Sequence, residues 1–95
     1  MSADARFAHL KVDLGLLHPT EDQAAYLRSL LTQAEGYISR QGVKLEDGDE
    51  DDMLAAALAA WMYRTRAMAD APRLPPMLRS QINDRLCSRK MEADA

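Results

Sequence analysis

The run "EDGDEDD", Glu46 to Asp52, is the densest set of potential ligands in the chain, because carboxylates at alternate positions are what calcium loops use. Its spacing does not fit one. A loop of that kind opening at Asp47 needs glycine at its sixth position and glutamate at its twelfth, where Asp52 and Leu58 stand. The expected role of the run is a solvated, negatively charged helix start. Nucleophilic catalysis needs a Ser or Cys beside a His that a third group orients. The chain has two histidines, His9 and His18, both near its start, and no glycine-rich phosphate loop or paired-ligand spacing. The sequence therefore gives no catalytic residue, no metal site and no cofactor site, and an enzyme is not expected. Cys87, the single cysteine, cannot form an internal disulfide, which fits a reducing compartment.

What remains is arginine. The stretch "YRTRAMADAPRLPP", residues 63 to 76, closes an apolar segment with Arg64 and Arg66, crosses a loop carrying Arg73, and reopens on Pro75 and Pro76. The whole chain carries a net charge of -3, so bulk electrostatics do not draw it to nucleic acid. That charge is uneven. Residues 1 to 63 hold five Lys or Arg against eleven Asp or Glu, whereas residues 64 to 90 hold seven against two. One acidic and one basic face on a single domain are the expectation. Arg64, Arg66, Arg73 and Arg85 are interface candidates because the rigid fork of arginine grips carboxylates and phosphates in pairs. Taken singly, each is equally a solvated charge or a partner for a helix C-terminus.

Helices must position these residues, since there is no sustained alternation and valine occurs only at Val12 and Val43. The expected fold is all-α, a single small domain of about four helices over residues 1–95, with loose ends at about 1–4 and 90–95. Phe7, Leu10 and Leu14 predict a first helix over 4–14, stopped by Gly15. Thr20 and Gln23 have capping-box spacing, and Leu27, Leu30, Leu31, Ala34 and Ile38 form one stripe, with Arg28, Thr32 and Glu35 away from it, of a second helix ending near Gln41. A third, long central helix is expected from about Asp49 to Ala69. Every position from Met53 to Tyr63 is apolar, including Leu54, Leu58 and Trp61. A helix apolar all round is covered on most sides, more than so few neighbours can supply. Part of it is therefore expected to meet another subunit, so Leu54, Leu58, Trp61 and Tyr63 join the arginines as interface candidates, with Pro75, Leu78 and Ile82 beyond the break. Its apolar run spans eleven residues against the roughly 20 needed to cross a bilayer. "DAPRLPP" breaks the chain, and Leu78, Ile82 and Leu86 line a fourth helix from about Pro75 to Lys90. The opening "MSADARFAHLKVDLG" shows no secretory signal, so the protein is expected to stay in the cytoplasm where it is made.

Over roughly residues 8 to 88 this arrangement resembles the tailed-phage head-tail connector family, small helical head-completion adaptors also described as DNA-packaging proteins. The parts that carry the resemblance are Asp22 before Leu27, Leu30 and Leu31, the helix end from Tyr63 to Arg66, and the segment holding Pro75, Leu78, Ile82 and Arg85. The resemblance implies a homo-oligomeric ring below the portal protein. The ring extends the DNA channel, passes DNA without sequence-specific binding, and docks the next neck or tail protein. It also implies assembly in the host bacterial cytoplasm, residence in the virion neck of a phage, prophage or phage-derived particle, and no membrane. An alternative reading is a small nucleic-acid-binding regulator using the arginine-rich C-terminal helix. A third is a host adaptor or inhibitor that binds one protein partner through the same surface. For an interface of protein with protein, reversal of Arg66 or Arg85 is expected to leave the domain folded and to disturb assembly.

Overall fold

The computed structural model describes residues 2–46, 48–66 and 73–94. Four helices follow in order: α1 (Ser2–Leu14), α2 (Glu21–Arg40), α3 (Asp49–Thr65) and α4 (Pro76–Asp94), with no strand among the described residues. Helix extends into both stretches expected as loose ends; Met1 and Ala95 lie outside the described residues. The domain is a thin slab of 46 × 34 × 18 Å.

Local chemistry explains the helix ends. At the end of α1, Leu16 N–H donates to Lys11 O at 2.9 Å and Gly15 N–H to Val12 O at 3.1 Å. Gly15 holds φ +71°, the left-handed conformation that lets those two bonds close the helix. α2 opens with the expected capping box: Gln23 N–H donates to Thr20 Oγ1 at 3.1 Å, and Thr20 N–H donates to Gln23 Oε1 at 2.9 Å. It closes as α1 does, with Gly42 at φ +100° and Val43 N–H donating back to Ile38 O.

α3 is the structural centre, packing against α1, α2 and α4, while α1 and α2 also touch each other. Its alanines explain how. Ala55, Ala56, Ala59 and Ala60 are buried, and with no side chain beyond Cβ they let neighbouring helices approach closely. Into this space pack Phe7 and Leu10 from α1, Leu27, Leu30, Leu31, Ala34 and Ile38 from α2, and Leu78 and Ile82 from α4. The predicted stripes of α1, α2 and α4 all face inward. Each fully buried leucine or isoleucine contributes about 1.5–3 kcal/mol.

Central is not longest: α3 has 17 residues against 20 in α2 and 19 in α4. It ends at Thr65, and the expected continuation to Ala69 falls on residues 67–69, outside the described residues. Nor is its apolar run covered on every side within one chain. Met53 is 57% exposed, and Ala57, Trp61, Met62 and Tyr63 are half-buried.

Candidate functional site

The first turn of α3 places four carboxylates, Asp49 to Asp52, at the positive end of a helix. Helical geometry then divides them. Asp51 lies three and four residues before Leu54 and Ala55, and Asp52 has the same relation to Ala55 and Ala56, so both carboxylates sit on the buried face. The expectation of a solvated acidic run is corrected at these two positions: Asp51 is 3% exposed and Asp52 4%. A buried carboxylate needs a cation or donors, and each is met by an arginine of the same chain.

Asp52 is met by Arg6 of α1, whose Nε donates to Asp52 Oδ1 at 2.8 Å. The same guanidinium donates from Nη1 to Glu35 of α2 and from Nη2 to the Glu46 carbonyl at 3.0 Å. One side chain thus binds α1 to α2, to α3 and to the loop between them. Burial by itself lowers the affinity of Arg6 for its proton, but the hydrogen bonds and charges of Glu35 and Asp52 together outweigh it and raise the pKa above the ordinary arginine value. Arg6 stays charged.

Asp51 is met by Arg85 of α4, with Arg85 Nε 2.8 Å from Asp51 Oδ1. Between these two atoms the contact is one of charge, not a directed hydrogen bond. Asp51 Oδ2 accepts from Glu46 N–H at 2.9 Å, and Arg85 Nη1 reaches the exposed Glu50 at 3.3 Å. These contacts fix α4 to the start of α3.

The other interface candidates divide between core and surface. Arg64 Nη2 donates to both the carbonyl and the carboxylate of Asp13, each at 2.8 Å, tying the end of α3 to α1. Arg66 is exposed, lies over the Tyr63 ring at 3.7 Å and donates to the Tyr63 carbonyl. Tyr63 also stands 6.2 Å from the Tyr26 ring, tilted to it. Arg73 is exposed and Pro75 half-buried. Leu54, Leu58, Leu78 and Ile82 belong to the core.

Two surface grooves flank α3. One, of about 400 Å³, runs between α2 and α3, with Gly36, Tyr37, Leu58, Trp61, Met62 and Leu74 among its lining residues and Arg40 at its rim. The other, of about 280 Å³, lies between α3 and α4 over Met53, Leu54 and Ala57, edged by Glu50, Gln81, Asp84 and Arg85. Among the described residues, no three His, Cys, Asp or Glu side chains converge as a metal set. No described helix is long and apolar enough to cross a membrane.

No family model matches the chain, and neither a curated protein nor a solved structure matches it.

Sequence reasoning passed over Arg6, took Asp51 and Asp52 only as part of the acidic run, and set Glu35 away from the apolar stripe of α2, where the structure pairs it with Arg6. A signal existed in their register. Arg6 shares the α1 face with Leu10 and Leu14 at spacings of four, and Glu35 stands between Leu31 and Ile38 on α2. A lone arginine inside an apolar stripe requires a carboxylate on whatever packs against it.

Proposed function

We propose that the chain is a structural head-tail connector of a tailed phage, prophage or phage-derived particle. In this reading it forms a homo-oligomeric ring under the portal protein, lengthens the DNA channel without reading sequence, and offers a platform to the next neck or tail protein. It would assemble in the host cytoplasm and reside at the head-tail junction.

The observation that carries this reading is the incomplete cover of α3. The apolar segment continues as Met53, Ala57, Trp61 and Met62 into grooves on both flanks, so a central apolar helix is left partly open in a single copy. Neighbouring subunits would complete what α1, α2 and α4 leave exposed. Opposite flanks suit a closed ring, in which two different surfaces of each subunit meet. The regulator reading loses support because Arg85, a cation of its C-terminal helix, is engaged by Asp51.

The test is assembly with the cognate portal protein, followed by size exclusion with light scattering. Co-elution at the mass of portal plus a ring of this chain is the expected result. A chain that stays separate from the portal, and cannot restore infectivity to a connector-deficient phage, overturns the proposal.

A further inference from the structure

Gly36 lies in the interior of α2, where glycine is the poorest helix former after proline. Nothing inside the chain requires it. A Cβ built there would meet only Arg40 Nη1, at 3.3 Å, the far end of an exposed side chain that can swing aside. What the missing side chain does is keep open the groove between α2 and α3, whose apolar wall is Tyr37, Trp61, Met62 and Leu74. Arg40 at the rim is exposed and has no ion-pair partner among the described residues.

Complementary features stand at the other end of α2. Val12 and Leu17, at the turn closed by Gly15, are 70% and 61% exposed. Glu21 and Asp22 follow at once, exposed and likewise without an ion-pair partner among the described residues. An apolar corner with acidic residues behind it matches an apolar groove with a cation at its rim. The two cannot meet within one copy, because the rise of α2 separates Asp22 from Arg40 by about 27 Å.

We infer that a second copy of this chain occupies the groove: the Val12–Leu17 corner of one subunit seats on Tyr37, Trp61 and Met62 of the next, with Glu21 and Asp22 against Arg40. This inference rests on the ring reading and gives that ring its repeating contact. Because corner and groove are different surfaces, the contact is head-to-tail, the kind that repeats around a ring when its rotation closes.

Cross-linking between differently labelled copies tests it. In a Cys87→Ser background, one preparation carries Leu17→Cys and another, of distinguishable mass, carries Gln33→Cys at the exposed side of the groove. A short bis-maleimide is applied to the mixture, with and without the portal. The mixed product should exceed that of a control pair, Leu17→Cys with Ser80→Cys on exposed α4, by about tenfold, the change expected for one productive charge-lined contact. Arg40→Glu or Asp22→Arg alone should remove most of the product, and both in one chain should restore it. Gly36→Ala should raise the midpoint of thermal unfolding and lower the product.

Mixed product no greater than the control under either condition overturns the inference. So does a dominant product between two Gln33→Cys copies, which marks a two-fold contact, or loss of the mixed product when portal is added, which assigns the groove to the portal. Portal binding is scored separately. A cross-linked chain that ignores the portal keeps the head-to-tail contact and sinks the connector reading; portal binding without cross-linking does the reverse.

Discussion

Arg6 and Asp52 lie 46 residues apart in the chain and meet at 2.8 Å with both side chains buried. Their pairing changes how the acidic start of α3 is understood. Removing one partner leaves the other buried without its counter-charge, which costs about 3–5 kcal/mol. Arg6→Met should therefore lower the urea midpoint severely without changing the slope of the transition. Arg6→Met combined with Asp52→Leu should recover most of that loss, because Glu35 is about one-third exposed and water can still reach it. A double variant as unstable as the single one would show that the network matters through Glu35 or the Glu46 carbonyl instead.

Reversal of the arginines should separate two roles that the sequence placed together. Arg85→Glu sets a carboxylate beside buried Asp51 and should unfold the domain at ambient temperature or nearly so, contrary to the expectation that it would leave the fold intact. Arg66→Glu removes only an exposed contact over Tyr63 and should shift stability by about 1 kcal/mol or less. Circular dichroism melts of both variants decide this. Equal melting temperatures would mean that Arg85 does not support Asp51 in solution.

Gly42 combines a left-handed φ of +100° with close approach to α4, since an added Cβ would lie 3.3 Å from Leu86 Cδ1. Gly42→Ala should destabilise by about 1–2 kcal/mol from the backbone alone. Amide hydrogen exchange should locate the effect in the last turn of α2 and in α4, and unchanged protection in α4 would show that the Leu86 contact carries little.

Thr20→Ala should cost about 1 kcal/mol by removing the acceptor for the Gln23 N–H. Thr20→Ser should keep nearly all of it. A loss of the same size in both variants would point to packing of the Thr20 methyl group, not capping.

The helices were legible because their signals are local. Phe7, Leu10 and Leu14, the stripe from Leu27 to Ile38, and Leu78 with Ile82 all pack in or against the core as their spacing requires, and the Thr20 cap and Gly15 stop depend on neighbours a few residues away. The central segment was harder. An unbroken apolar run from Met53 to Tyr63 has no periodicity from which to read its open sides, and only the placement of α1, α2 and α4 leaves Met53 outside. The charge network was least legible, since it depends on which carboxylate faces which arginine across helices that composition alone does not pair. Arg85 looked like surface charge for that reason, although it is half-buried against Asp51; Arg64 is exposed, and pairs with Asp13 of the same domain.

Every partner of Arg6 in this network is synthesised after it: Glu35, then the Glu46 carbonyl, then Asp52. A nascent chain that has not yet released the first turn of α3 holds the cation without the carboxylate that makes its burial tolerable. A chain lacking α1 holds Asp52 without its cation. Neither half closes comfortably by itself, so α1 and the start of α3 are bound to order together, and fraying at the N-terminus reaches the middle of the molecule in the same all-or-none step. The domain should therefore complete its core only once the first turn of α3 has emerged from the ribosome and Arg6 can meet Asp52.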